Sequence, residues 1–220
     1  MVAKVLLFDL WMTLVYGLPT DPIHTLQSIL KHRSPVEPLD PAFLRKCLTT
    51  DLKNPSDFLH EVAATFNLKV PRGALTQFRQ LLRQERAAAT AYDDTDVVLK
   101  ALAAGGEYRL GLISNLWPFP VHRIFNRMGM GKHFEHLVYS FEHGAAKPSA
   151  SIFQHASELF DVSPEHCIMI GDSVSSDIEG ALGAGMQAIL IDRSEKLHPQ
   201  LSQQGVTVVR SLTELQTMLR

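Results

Sequence analysis

Asp9 closes the apolar run Val5 to Phe8, Ser114-Asn115 follows Leu110 to Ile113, Asp172 follows Cys167 to Ile170, and Lys147 lies in the loop beyond Leu137 to Tyr139. In an open parallel sheet, ligands bind at the carboxyl ends of the strands, so polar residues just behind apolar runs are where chemistry is expected. A carboxylate is a weak nucleophile, but aimed at an electrophilic centre it can form a covalent intermediate that water later hydrolyses. Asp9 suits that role. Ser114 can donate its hydroxyl proton, and Lys147 can bring positive charge, to oxygens that gain charge during transfer. Lys147 also limits carboxylate repulsion. Asp172 supplies a second hard oxygen near Asp9, and Mg²⁺ is usually held by one or two carboxylates with substrate oxygens and waters.

These residues need a scaffold that brings distant segments together. Apolar, β-branched-rich runs recur at Val5 to Phe8, Leu110 to Ile113, Leu137 to Tyr139, Cys167 to Ile170, Ala188 to Ile191 and Val206 to Val209. From Leu110 onward they alternate with helix-like stretches, which predicts an α/β fold with a doubly wound parallel sheet covered on both faces. Ala150 to Phe160 shows the helical period, with Ser149 available as its N-cap.

Between Val15 and about Thr90 the strand-like runs vanish and four helix-like segments follow one another. Asp21-Pro22, Asp40-Pro41 and Asn54-Pro55 each place a capping side chain before a proline, a favoured opening of a helix. The fourth segment, with Leu75, Phe78, Leu81 and Leu82, follows Pro71-Arg72-Gly73. The expected organisation is an α/β core formed by residues 1–14 and 91–220, with an all-helical subdomain over 15–90.

The 220 residues, 45% apolar, can bury a substantial core, and a formal charge of −2 supplies no basic field for nucleic acid. A small-molecule substrate is the expected partner; the sequence leaves the oligomeric state open. The short apolar run before Asp9 is interrupted by Lys4 and predicts neither a signal peptide nor a membrane span, so a cytoplasmic location is expected. Cys47 and Cys167, far apart, are expected to be reduced and buried.

Phe8-Asp9-Leu10-Trp11-Met12-Thr13-Leu14, Leu112-Ile113-Ser114-Asn115, Lys147-Pro148 and Gly171-Asp172-Ser173-Val174-Ser175-Ser176-Asp177 resemble the four ordered motifs of the haloacid dehalogenase-like hydrolase superfamily. Gly180-Ala181 and Ala184-Gly185-Met186 extend the last one. In the family's phosphatases this resemblance implies catalysis by Asp9, Ser114, Lys147 and Asp177, with Ser114, Asn115 and Lys147 binding the transferred group. It implies Mg²⁺ on Asp9, Asp172 and the backbone carbonyl of Trp11. Asp177 would orient Lys147 or a metal-bound water, and the helical insertion would be the cap.

One position departs from that pattern. Family phosphatases carry a second aspartate two residues after the nucleophile, where it protonates the leaving oxygen and then activates water. Here that position is Trp11, and Met12 replaces the usual glycine. General acid–base help contributes about 10²–10⁴ in rate, so a phosphatase built this way favours a good leaving group. An aromatic residue at this position resembles the 2-haloacid dehalogenase branch, whose halide departs without a proton. That branch has a Ser-Asn pair where this chain has Asp172-Ser173-Val174. Together the motifs imply a Mg²⁺-dependent phosphatase of a small phosphomonoester, with a dehalogenase and a non-catalytic binding protein as alternatives.

Taken singly, the same residues have plainer readings. Asp9 alone would be a turn former, and Asp177 alone a helix-dipole partner. Trp117 can wall the site or simply pack. His133, His136 and His143 straddle a strand and read as core-edge or solvated residues rather than a metal site, while Arg33, Arg45 and Arg72 have surface solvation as their default.

Overall fold

A computed structural model describes residues 4–17, 21–32, 37–119, 121–194 and 206–220. Strand β1 is Lys4–Phe8, and the short strands β2 (Val15–Tyr16) and β3 (Thr90–Ala91) pair with each other antiparallel. Then follow β4 (Tyr108–Ser114), β5 (His136–Tyr139), β6 (Cys167–Gly171), β7 (Gln187–Ile191) and β8 (Thr207–Val209). Six strands form one parallel sheet in the order β5-β4-β1-β6-β7-β8.

Strand alternation sorts the core into two layers. Leu6 and Phe8 of β1 join Leu110, Leu112, Ile168 and Ile170 on one face, packed by Val98, Leu99 and Leu102 of helix α5 (Thr95–Ala104). Val5 and Leu7 face the other way with Ile113, Val138 and Met169, packed by Ile152, Phe153 and Ala156 of helix α8 (Ala150–Leu159). Every strand residue of β1 from Val5 on is buried, as a strand covered on both faces requires.

Between β2 and β3 lie four helices: α1 (Pro22–Ile29), α2 (Pro41–Leu48), α3 (Pro55–Thr65) and α4 (Ala74–Ala88). The expected caps form. Asp21 Oδ1 accepts from the backbone N–H of Ile23 and His24, Asp40 from that of Ala42, and Asn54 from that of Ser56. Each such cap is worth about 1 kcal/mol. The four helices share their own apolar cluster, built on Leu26, Phe43, Phe58, Val62 and Phe78, which also takes in Trp117 and Phe119 from the loop after β4. The β2–β3 ladder ties the two ends of this helical segment together, a pairing that the short dipeptides Val15-Tyr16 and Thr90-Ala91 do not announce in sequence.

One expectation needs correction, and the histidines, Arg45 and Arg72 stand where expected. Ser149 occupies the N-cap position of α8 but makes no capping bond; its hydroxyl meets that of Ser151 at 3.1 Å. The three histidines diverge: His133 pairs with Asp96, His136 meets the Phe160 ring edge-on, and His143 stacks on His155. Arg33 lies outside the described residues, whereas Arg72 and Arg45 are both exposed. Cys47 and Cys167 are buried free thiols, and burial pushes both thiol pKa values up, Cys167 to about 11. No helix among the described residues is long and apolar enough to cross a membrane.

Candidate active site

Strand order creates the site. From β1 the chain winds outward through β4 and β5, and β6 then returns to the opposite side of β1 and winds on through β7. The connections leaving β1 and β6 therefore part, and the crevice between their carboxyl ends is the topological switch point. Asp9 follows β1 and Asp172 follows β6. The Asp9 N–H continues the ladder by donating to the Ile170 carbonyl at 2.9 Å.

The side chains converge on Asp9. Its Oδ1 accepts from the Ser114 hydroxyl at 2.9 Å and from Lys147 Nζ at 2.7 Å. Lys147 Nζ also donates to the Ile113 carbonyl at 2.9 Å and lies 2.5 Å from Asp177 Oδ1. Asp177 Oδ2 accepts the Ser173 N–H at 3.0 Å. Asp177 is 1% exposed and meets Lys147 as well as standing in the first turn of its helix. It stands in a π-helical turn over Val174–Ile178, ahead of helix α9 (Glu179–Gly183). Such an inserted residue commonly accompanies functional sites, and here the turn aims the carboxyl back at Lys147.

Two loops are clamped to hold these groups. Asn115 makes a reciprocal pair with Lys147: its Oδ1 accepts the Lys147 N–H at 2.8 Å and its Nδ2 donates to the Lys147 carbonyl at 2.9 Å. The buried Ser140 hydroxyl accepts from Leu116 N–H at 2.9 Å and donates to Leu116 carbonyl at 3.0 Å, bracing the loop after β4. Gly171 is needed because a Cβ there would come within 2.3 Å of Asp177 Oδ2.

Electrostatically the site has surplus negative charge. Carboxylate oxygens of Asp9, Asp172 and Asp177 lie within 4.8 Å of one another, and among the described residues the ammonium of Lys147 alone is paired with them. Burial raises the Asp9 pKa; Lys147 offsets part of this and Asp177 adds to it. Burial, then Asp9 and Asp177, pushes Asp172 up to about 7. For Lys147, burial acts to lower the pKa, but the two carboxylates outweigh it and hold the ammonium above the usual lysine value. Three convergent hard-oxygen ligands with excess negative charge fit a small divalent cation.

Trp11 stands half-buried beside Asp9, in a turn where Met12 N–H donates to the Val15 carbonyl and Val15 N–H to that of Leu10. Met12 has φ 59°, the left-handed region that glycine enters freely.

A model of the haloacid dehalogenase-like hydrolases matches residues 3–185. The chain belongs to this family. The glyceraldehyde 3-phosphate phosphatase of Methanothermobacter thermautotrophicus is 34% identical over 116 residues, 51% of either chain. The N-acylneuraminate-9-phosphatase of Mus musculus is 31% identical over 129 residues, covering 58% of this chain and 51% of that protein. The matched region thus spans about half the length of these curated relatives. A glyceraldehyde 3-phosphate phosphatase of Methanopyrus kandleri is 30% identical over 176 residues, 70% of this chain and 73% of its own. By structure, the 2-haloacid dehalogenase of Pseudomonas syringae superposes with a TM-score of 0.67 at 20% identity, over 99% of this chain and 98% of that one. A phosphatase of the same family from Thermococcus onnurineus gives 0.63 at 23%, over 98% and 97%. Both structural likenesses show the fold, and this fold accommodates either chemistry.

Two features of this haloacid dehalogenase-like hydrolase escaped the sequence reading. One is the Asn115–Lys147 backbone clamp, which leaves no sequence trace. The other is Glu85, 4% exposed, whose two oxygens each lie 3.2 Å from the Trp117 indole nitrogen. Its signal was available: Glu85 continues the stripe of Phe78 and Leu81 at helical spacing, where an acid is out of place.

Proposed function

We propose that this protein is a Mg²⁺-dependent phosphatase of small phosphomonoesters, acting through an aspartyl phosphate on Asp9. The observation that carries the reading is the carboxylate of Asp172 beside those of Asp9 and Asp177. A buried surplus of carboxylates is costly unless a cation compensates it. Asp9 and Asp172, with the Trp11 carbonyl, would hold Mg²⁺, which when bound supplies charge neutralisation at the phosphoryl oxygens. The names of the phosphatase relatives support the same substrate class.

The chain's own groups account for the first half of the chemistry. Ser114 and Lys147 both donate to Asp9 Oδ1, which fixes the carboxylate and leaves its other oxygen for attack. That oxygen attacks phosphorus, the P–O bond to the leaving group breaks, the departing alkoxide takes its proton from water, and Asp9 becomes an acyl phosphate. Lys147 and Ser114 sit where they can donate to the transferred group as well. Asp177 is a positioning residue: its Oδ1 holds the ammonium and its Oδ2 is pinned by the Ser173 N–H. Water then attacks the acyl phosphate, releasing inorganic phosphate and restoring Asp9. The helical segment from α1 to α4 acts as the cap, closing over the crevice to exclude water and select the leaving group.

Trp11 favours a second reading, hydrolytic dehalogenation, because halide needs no proton. A panel of aryl and acyl phosphates and 2-haloacids, with Mg²⁺ or chelator, separates the two. Mg²⁺-stimulated phosphate release that is lost in Asp9→Asn, with phosphate trapped on Asp9 by mass spectrometry, supports the phosphatase. Chelator-resistant chloride release overturns it. Absence of turnover across the panel would favour a non-catalytic binding protein.

A further inference from the structure

Two clefts open onto the crevice and meet at Asn115, and their chemistry differs. The larger, about 900 Å³, is bordered by Arg45, Lys46 and serines 173, 175 and 176. The other, about 580 Å³, runs from Trp11 and Met12 between α1, α2 and Trp117 to Glu85. Its walls are largely apolar and carry two acids, Asp21 and Glu85, and no lysine, arginine or histidine among the described residues.

Glu85 is the unusual member. Asp21 already spends an oxygen on capping α1. Glu85 has the single indole N–H of Trp117 shared between both oxygens, whereas a carboxylate offers about four acceptor sites. Among the described residues no cation pairs with it, although it is 4% exposed and lines the cleft. A buried acid without a counter-ion is poorly compensated. Its pKa agrees: burial pushes it up to about 8, Trp117 offsets part of that, and Asp21 adds to it. A tryptophan and an acid that served only to join the two layers would need no cleft in front of them.

We infer that this cleft is the leaving-group pocket and that Glu85 is its specificity-determining residue, selecting phosphomonoesters of alcohols that carry an ammonium group. The inference rests on the phosphatase reading, in which Trp11 stands on the leaving-group side of Asp9. The apolar walls cover the alkyl portion of the leaving group. An ammonium in the cleft favours the ionised form of Glu85, and that carboxylate, backed by Asp21, matches the ammonium and opposes a carboxylate.

The test compares aminopropyl, hydroxypropyl and carboxyethyl phosphate as substrates of the full chain with Mg²⁺. The expected kcat/KM falls in that order, with about tenfold between the first two. Glu85→Gln keeps a carbonyl acceptor for Trp117 and brings the amino-to-hydroxy ratio close to one. Calorimetric binding of aminopropyl- and hydroxypropylphosphonate makes the same comparison without turnover. Preference for aminopropylphosphonate with no hydrolysis of any ester would therefore sustain the pocket while removing the phosphatase. A wild-type ratio of one or less in either measurement, no binding of either phosphonate, or a preference that survives Glu85→Gln overturns the assignment.

Discussion

Lys147 Nζ lies 2.7 Å from Asp9 Oδ1 and 2.5 Å from Asp177 Oδ1, so one buried ammonium bridges the carboxylate after β1 and the one from the turn after β6. Breaking a buried ion pair on one side leaves the other charge uncompensated, at about 3–5 kcal/mol. Lys147→Met is therefore expected to lower unfolding free energy by about 3 kcal/mol at pH 8. The loss should shrink toward pH 5, because Asp9 and Asp172 have raised pKa values and protons can replace the ammonium. Urea denaturation at the two pH values checks this; an equal loss at both would argue against charge as the cause.

Asp172→Asn should separate stability from activity. In the metal-free protein at pH 8 it removes an acid whose ionisation the fold opposes, and a gain of about 1–2 kcal/mol is expected. Mg²⁺-stimulated turnover should fall by about a hundredfold or more. Denaturation with chelator and assays across Mg²⁺ concentrations read the two effects independently.

Glu85 links stability to pH. Its ordinary value is 4.5 and its value in the fold is about 8, so between these the folded state binds more protons than the unfolded one. Stability contributed by this group is present below pH 4.5 and is lost as pH rises toward 8, by up to about 1.4 kcal/mol per pH unit. Glu85→Gln should flatten that slope and be more stable than wild type at pH 8.5. Thermal denaturation of both proteins from pH 5 to 8.5 tests it, and parallel curves would contradict it.

Met12 holds φ 59° with half its surface exposed. The left-handed region disfavours a residue with a Cβ by about 1–2 kcal/mol, against which glycine loses more chain entropy on folding. Met12→Gly is expected to stabilise by about 0.5–1 kcal/mol. A lower denaturation midpoint would show that the Met12 side chain contributes packing that outweighs the backbone strain.

Gly171→Ala forces a methyl group onto the Asp177 carboxyl, 2.3 Å from Oδ2 and 2.6 Å from its Cβ. Because Asp177 in turn holds Lys147, the substitution should lower turnover by at least about tenfold and stability by about 1–3 kcal/mol. Gly183→Ala, which meets nothing within 4 Å, is the matched control and should leave both within experimental scatter. Equal effects of the two would dissociate Gly171 from the site.

Much of this protein was legible from local pattern. Fully buried parallel strands read as continuous apolar runs, and each expected run in the sheet is a strand. The Asp-Pro and Asn-Pro pairs marked the helix starts because capping is settled within a few residues of chain. Ser149 shows the limit of that logic: a suitable residue at the right position turned its hydroxyl to Ser151 instead. Glu85 was overlooked because a charged residue on a helix defaults to solvent, although its place on the Phe78 and Leu81 stripe pointed inward, where it packs against Trp117.

Sequence alone pointed to Asp9, Ser114, Lys147 and Asp172, since each follows an apolar run whose strand end is a local property, and to Asp177 through the resemblance of Gly171 to Asp177 to a family motif. Tertiary structure alone decided which of them meet. Placing β6 beside β1 opened the switch-point crevice, brought Asp172 to Asp9, and let one π-helical turn aim Asp177 at Lys147. Residues 138 positions apart touch because strand neighbours are chosen by packing over the whole sheet, which no local spacing encodes.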